Sequence, residues 1–171
     1  MGADRQTVAE LLAAVPQQRP FRFIDDILEL DEHHVVGVYR FRQDEAFYSG
    51  HFPGNPVTPG VILIETMAQT GVVVFGLYLM KRSGESAAGM LTLFTTAEDV
   101  EFSGIVRPGE RVIVYGEKIY FRRGALKCRV RMERENGEIV CAGVLAGMRV
   151  PAGNAVSTKE PETAIGRGER T

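Results

Sequence analysis

The chain has 171 residues, 44% of them hydrophobic and 25% charged, with a formal net charge of −2 and a pI near 6.0. That length predicts one domain with a proper core, and the charge balance carries no signature of a nucleic-acid binder. The two cysteines, Cys128 and Cys141, form neither a metal signature nor a disulfide framework and are expected to be free buried thiols in a reducing cytoplasm.

The N-terminal stretch carries acidic residues and no long apolar core, so it does not read as a secretory signal. Thr7 is expected to cap a short helix, Val8 to Ala14, with Glu10 as its capping-box partner and Pro16 as its stop. Residues 1–15 thus precede a main domain over 16–150. Two strand-like runs follow, about Arg22–Leu30 and Val35–Arg42, around the turn Asp31-Glu32-His33. A loop from Gln43 leads to the most distinctive stretch, GHFPGNPVTPGVILIETMAQ, residues 50–69.

In that stretch Pro53, Pro56 and Pro59 fix φ and remove donors, which predicts an ordered, non-helical loop. From Gly60 the text turns apolar for too long to be a strand, and it reads as a helix buried on nearly every side. Residues 57–80 are about long enough to cross a membrane, but Pro59, Glu65 and Gln69 interrupt them, which favours a soluble core helix. Glu65 and Gln69, four apart, share one helix face. A carboxylate there is costly to bury unless it is paired or protonated. The helix should stop near Lys81-Arg82-Ser83-Gly84.

The remainder is strand text: Ala88–Phe102, Arg111–Arg122, Leu126–Arg134 and Ile139–Val150. Arg107-Pro108-Gly109-Glu110 and Glu135-Asn136-Gly137-Glu138 carry hairpin chemistry, and Arg123-Gly124 joins the middle pair. Residues 151–171 have few large apolar residues and are expected to be a disordered tail. The sum is an α+β domain, one long helix on a curved antiparallel sheet. A helix this apolar calls for further cover, and a second subunit extending the sheet would supply it, so a dimer is expected.

The pattern His51, Phe52, Pro53, Gly54, Pro56, Pro59, Gly60, Val61, Glu65, Ala68, Gln69 resembles the (3R)-3-hydroxyacyl-[acyl-carrier-protein] dehydratases. Pro20-Phe21 with Ile24-Asp25, and Val100-Glu101-Phe102 followed by Val106-Arg107-Pro108-Gly109-Glu110, extend the likeness over about residues 16–150. The resemblance implies a hot-dog fold, in which the sheet wraps the central helix, and a dimer with shared sites. It places the histidine of one subunit opposite the carboxylate of the other, at the positions His51 and Glu65. Glutamate resembles the dehydratase-only branch, whereas aspartate marks the dehydratase/isomerase branch. Gly60, Gln69, Phe52 and Val61 fall at substrate-binding positions. The implied substrate is an acyl chain on an acyl carrier protein, with no cofactor or metal and no nucleic acid. Dimer or trimer of dimers is left open. Thr58, Arg22 and Asp26 depart from the family pattern; Asp26 stands where a basic residue is common and weakens carrier docking there.

Dehydration of a 3-hydroxyacyl thioester needs a base for the C2 proton, an acid for the leaving hydroxyl and donors for the thioester oxygen. Histidine, with an ordinary pKa of about 6.5, suits the base. Burial should raise Glu65 toward the acid role. The Gly60 amide, at a helix N-terminus, suits the carbonyl. Each residue also has a plainer reading. A histidine beside proline can be structural, and the Glu65/Gln69 pair can simply bond neighbouring backbone. Phe21, Phe23, Phe47 and Phe94 fit a tunnel lining or ordinary core, and His33 and His34 fit solvent. Lys118, Arg122, Arg123, Lys127, Arg129 and Arg131 fit a solvated face or a dock for an acidic carrier. Thioester hydrolysis and a silent acyl-binding dimer are the competing functions.

Overall fold

The computed structural model describes residues 2–86 and 89–152. The expected disordered tail lies outside these from residue 153 onward, but its first two residues belong to the fold. Pro151 ends a strand and pairs with Met90, and the Ala152 N–H bonds to the Gly89 carbonyl at 2.9 Å.

The first helix, α1, spans Arg5–Ala13, and its cap is Asp4 rather than Thr7. The Asp4 carboxylate accepts from the Thr7 N–H at 2.7 Å, so a stronger capping residue three positions earlier moves the start forward. Glu10 consequently makes no capping box; it accepts from Gln6 and pairs with Lys81 at the far end of the central helix.

Six antiparallel strands form one sheet in the order β1-β2-β4-β5-β6-β3. They are β1 Asp26–Leu30, β2 His34–Arg40, β3 Met90–Phe102, β4 Arg111–Arg122, β5 Ala125–Arg134 and β6 Ile139–Pro151. β1 is shorter than its apolar text suggests, because the backbone at Phe21 and Phe23 is bonded to a helix side chain instead of a strand. The Arg107–Glu110 turn delivers the chain into β4 but makes no hairpin: β3 pairs with β6 at the opposite side of the sheet. Arg123-Gly124 is a true two-residue hairpin loop, both residues at positive φ (50° and 74°), which matches the right-handed twist of β4 and β5.

The central helix runs Gly60–Arg82 as α2 (Gly60–Ala68), a π-helical stretch (Gln69–Val74) and α3 (Phe75–Arg82). Lys81 and Arg82 sit in its last turn, at the negative end of the helix dipole, as the sequence suggests. It is long and apolar enough to cross a membrane, yet 72% of its most apolar window is buried inside this fold. It is the core helix. Residues 66–80 are all buried, packed on Val114, Leu126, Cys128, Val130, Met132 and Leu145 from the inner face of the sheet.

The helix approaches the sheet most closely at Gly71, where a Cβ would lie 2.6 Å from Val130 Cγ1. Opposite it, a Cβ on Gly116 would meet the Gly71 Cα at 3.1 Å. Two glycines facing each other therefore set the helix-to-sheet distance, and any larger residue would lift the helix off its core contacts. Its N-terminal turns are the exception to this burial: Val61 is 71% exposed, and Ile62, Ile64 and Glu65 are only partly covered.

Candidate active site

The proline-rich loop delivers His51 to the end of a 3-10 turn, Ala46–Ser49, and holds it there. The His51 N–H donates to the Phe47 carbonyl at 3.0 Å, and the His51 carbonyl accepts from the Val57 N–H at 2.9 Å. The ring Nδ1 lies 2.8 Å from the Val57 carbonyl. A carbonyl only accepts, so Nδ1 carries the proton of the neutral ring and Nε2 keeps its lone pair. Phe52 stacks on the imidazole at 4.0 Å between centroids, across a cis peptide, with its outer face open.

Glu65 and Gln69 stand on one helix face, as their spacing requires. The Gln69 N–H bonds to the Glu65 carbonyl, so the π-helical stretch begins after their i, i+4 relation is set. The Gln69 side chain is fully buried and saturated. Nε2 donates to Glu65 Oε1 at 2.8 Å and to the Phe21 carbonyl at 2.9 Å, while Oε1 accepts from the Phe23 N–H at 2.7 Å. One amide therefore ties the carboxylate to the segment before β1. Burial pushes the Glu65 carboxyl above the usual carboxylate range, and the Gln69 donation pulls it partly back.

Gly60 opens the helix behind Pro59, and among the described residues its N–H has no acceptor. A free amide at the positive end of a helix is a ready donor for a carbonyl that gains charge. The Phe102 ring rests on this glycine: a Cβ on Gly60 would be 3.0 Å from two ring carbons. Phe102 and Val61, both exposed, flank the amide.

Within the chain no hydrogen bond or ion pair joins His51 to Glu65 among the described residues. The loop thus presents a base, while the helix presents an amide donor at its start and an acid further along. A groove of about 730 Å³ lies elsewhere, across the outer face of the sheet between His34, Tyr115, Arg129, Arg131 and Glu101, and touches none of these groups.

Other expectations resolve individually. His33 and His34 are exposed, His34 beside Asp31 at 3.1 Å. Phe23 is core and Phe47 partly so, whereas Phe21 and Phe94 are half exposed. Cys128 and Cys141 are free and buried, and burial pushes their thiols up to about 12 and about 11. Of the basic set, Lys127 pairs with Glu98, Arg129 with Glu117 and Arg131 with Glu133. Arg122, Arg123 and Lys118 have no carboxylate within ion-pair distance among the described residues. Two of the departures act away from the acid and base: Arg22 donates to the Leu12 carbonyl at the end of α1, and Asp26 pairs with Arg5. The sequence reading missed two residues at the site, Phe102 over Gly60 and Tyr48 against Thr58. Only the Thr58 departure pointed toward the second.

The family model of the FabA-like domain matches residues 15–143. The chain belongs to the FabA-like family. Among curated FabA-like relatives, the 3-hydroxyacyl-[acyl-carrier-protein] dehydratase FabZ of Caldicellulosiruptor saccharolyticus is 35% identical, over 81% of this chain and 94% of its own. The enzyme of that name from Yersinia enterocolitica is 33% identical over 95% of this chain and 96% of its own. Among solved structures, the dehydratase heterocomplex ApeI:P of Xenorhabdus doucetiae superposes with a TM-score of 0.72 at 15% identity, covering 85% of this chain and 94% of that one. A hypothetical thioesterase of Streptococcus pneumoniae, solved with coenzyme A, gives 0.52 at 14% identity, over 74% and 85%. At such identities the structural likeness speaks to the fold, the hot-dog arrangement of helix and sheet.

Proposed function

We propose that this protein dehydrates (3R)-3-hydroxyacyl thioesters of an acyl carrier protein to trans-2-enoyl thioesters, in fatty acid or related acyl-chain synthesis. The observation that carries the reading is the state of the two titratable groups. The His51 ring is committed through Nδ1 to a carbonyl and so offers Nε2 as base. The Glu65 carboxyl is raised by burial and so is suited to hold the proton an acid must give.

In the proposed reaction Nε2 of His51 removes the C2 proton, and the charge that develops on the thioester oxygen is met by the free Gly60 amide. Glu65 protonates the C3 hydroxyl as its C–O bond breaks, and water leaves. Val61 and Phe102 form the apolar wall beside the amide, Phe52 lies against the imidazole, and Gln69 holds the Glu65 carboxyl in place.

The site is completed in a homodimer, with His51 of one subunit facing Glu65 of the partner subunit. Support comes from the lack of a hydrogen bond or ion pair between the two groups among the described residues, from the exposed start of the central helix and from the open edge of β3. A trimer of dimers is compatible with the same contact. Arg122, Arg123 and Lys118 are the unpaired part of the basic set and the proposed dock for an acidic carrier protein. The setting is cytoplasmic, with the apolar helix serving as core.

The test is incubation with a series of 3-hydroxyacyl carrier-protein thioesters of varied chain length, followed by mass analysis, with Glu65→Gln beside wild type. An enoyl product absent from the variant is expected. Free acid would instead mark a thioesterase, and unchanged substrate at every length would contradict the enzyme reading. Carrier binding indifferent to Arg122 and Arg123 charge reversal and to salt would remove the proposed dock.

A further inference from the structure

We propose that Tyr48 and Thr58 are positioning residues for His51: their hydroxyl pair fixes the Val57–Thr58 peptide group, and that group fixes the imidazole. Only the kinetic arm of the test below rests on the dehydratase reading.

One peptide group is committed at both ends. Its carbonyl, on Val57, accepts from His51 Nδ1 at 2.8 Å; its N–H, on Thr58, donates to the Val106 carbonyl at 2.8 Å. A peptide is planar, so these ends do not turn independently. Swinging the carbonyl away from the ring would pull the N–H off Val106. The two bonds also reinforce each other, because donation at N–H makes the same amide's oxygen a better acceptor.

Thr58 adds a third hold. Its Oγ1 lies 2.6 Å from the Tyr48 hydroxyl, with the two residues 3% and 7% exposed. Threonine is stiff at χ1, so a fixed hydroxyl also restricts the backbone that carries it. Tyr48 belongs to the 3-10 turn immediately before Gly50 and His51. Its bond to Thr58 therefore closes the neck of the loop just outside the Val57-to-His51 bond. Burial pushes the pKa of this phenol upward, the Thr58 bond pulls it partly back, and the Glu45 and Glu110 carboxylates add to the rise, so the group stays a neutral hydroxyl. Thr58 stands where an apolar residue is usual in the resembled family, and the hydroxyl it brings is the one Tyr48 engages.

The experiment is nitrogen-15 NMR of the histidine rings in uniformly labelled protein, with the exposed His33 and His34 as internal references. In wild type, His51 is expected as the Nδ1–H tautomer. Tyr48→Phe and Thr58→Val should each move it toward a mixture of tautomers. They should lower kcat by about threefold to tenfold and leave KM within about twofold. Thr58→Ser, which keeps the hydroxyl, should retain both the tautomer and kcat. If Thr58→Val fails to fold by circular dichroism, Tyr48→Phe, which removes one oxygen, is read alone. A lowered Tm with unchanged His51 nitrogen shifts and unchanged kcat would show a purely structural pair and overturn the proposal. Absent turnover in wild type would count against the dehydratase reading and leave the tautomer readout standing.

Discussion

The two edges of the sheet are finished in opposite ways. At β1 the N-terminal segment covers the free backbone. The Ala3 N–H bonds to the Leu30 carbonyl at 2.7 Å, and Arg5 donates to the Ile27 carbonyl at 3.1 Å while pairing with Asp26. At the other edge β3 is thirteen residues long, and nothing within the described chain lies along its outer side. It also carries Leu93 and Phe94 at 46% and 45% exposure. Charge enters this edge only from Glu98 onward, with Asp99 and Glu101, so residues 90–97 form a bare, uncharged stretch of the kind that pairs with another strand. The contrast separates an edge finished within the chain from one that the proposed dimer would extend. The exposed start of the central helix and the ring of Phe102 at the end of β3 belong to the second kind.

The largest expected effects fall on the chemistry the open edge would complete. Glu65→Gln and His51→Ala should each lower kcat by about 10²- to 10⁴-fold, read by enoyl formation, with the fold intact by circular dichroism. Gln69→Leu should come next. It strands the Phe23 N–H and frees Glu65, and should cost on the order of 2–4 kcal/mol in chemical denaturation as well as activity.

A charge on the open edge should act through assembly. Phe94→Glu is expected to shift the mass in light scattering toward the monomer and to lower activity at least about tenfold. The corresponding change at the covered edge, Leu28→Glu, should leave mass and activity unchanged. Equal loss of assembly from both would erase the contrast.

Smaller still is the pH effect at Glu65. Its folded pKa is raised, so the protonated form is favoured on folding, and that stability is lost as pH rises through the raised value. Glu65→Gln, neutral throughout, should therefore match wild type in Tm under acid conditions and exceed it increasingly toward neutral pH. A gap that instead widened on acidification would contradict a raised pKa. Least of all, Arg5→Ala at the covered edge should cost under about 1 kcal/mol, because its ion pair is largely exposed.

Much of this arrangement was legible in the residues themselves. The proline-rich loop, the apolar helix from Gly60, the shared face of Glu65 and Gln69, and the strand text after Gly84 rest on local chemistry, and local chemistry is what a sequence displays. The lengths of β4, β5 and β6 followed from alternation and turn residues. What stayed hidden depends on contacts far apart in the chain. The shortening of β1 follows from Gln69 bonding the backbone of Phe21 and Phe23, and no propensity at 21–25 reports it. Pairing of β3 with β6, rather than with the strand after the Arg107 turn, is a matter of topology. Asp4 displaced Thr7 as the cap because the two compete for one register. The π-helical stretch, the packing of Phe102 on Gly60 and the bond between Tyr48 and Thr58 likewise required the fold.

The central claim is that one functional site draws His51 from one subunit and Glu65 from the other. The most direct measurement mixes inactive His51→Ala with inactive Glu65→Gln under conditions that exchange subunits, and follows enoyl formation. A shared site predicts recovery to about a quarter of wild-type activity, since half the dimers would be mixed and each would hold one intact site of two. No recovery, despite proven exchange, would place both residues' work within a single chain and contradict the account.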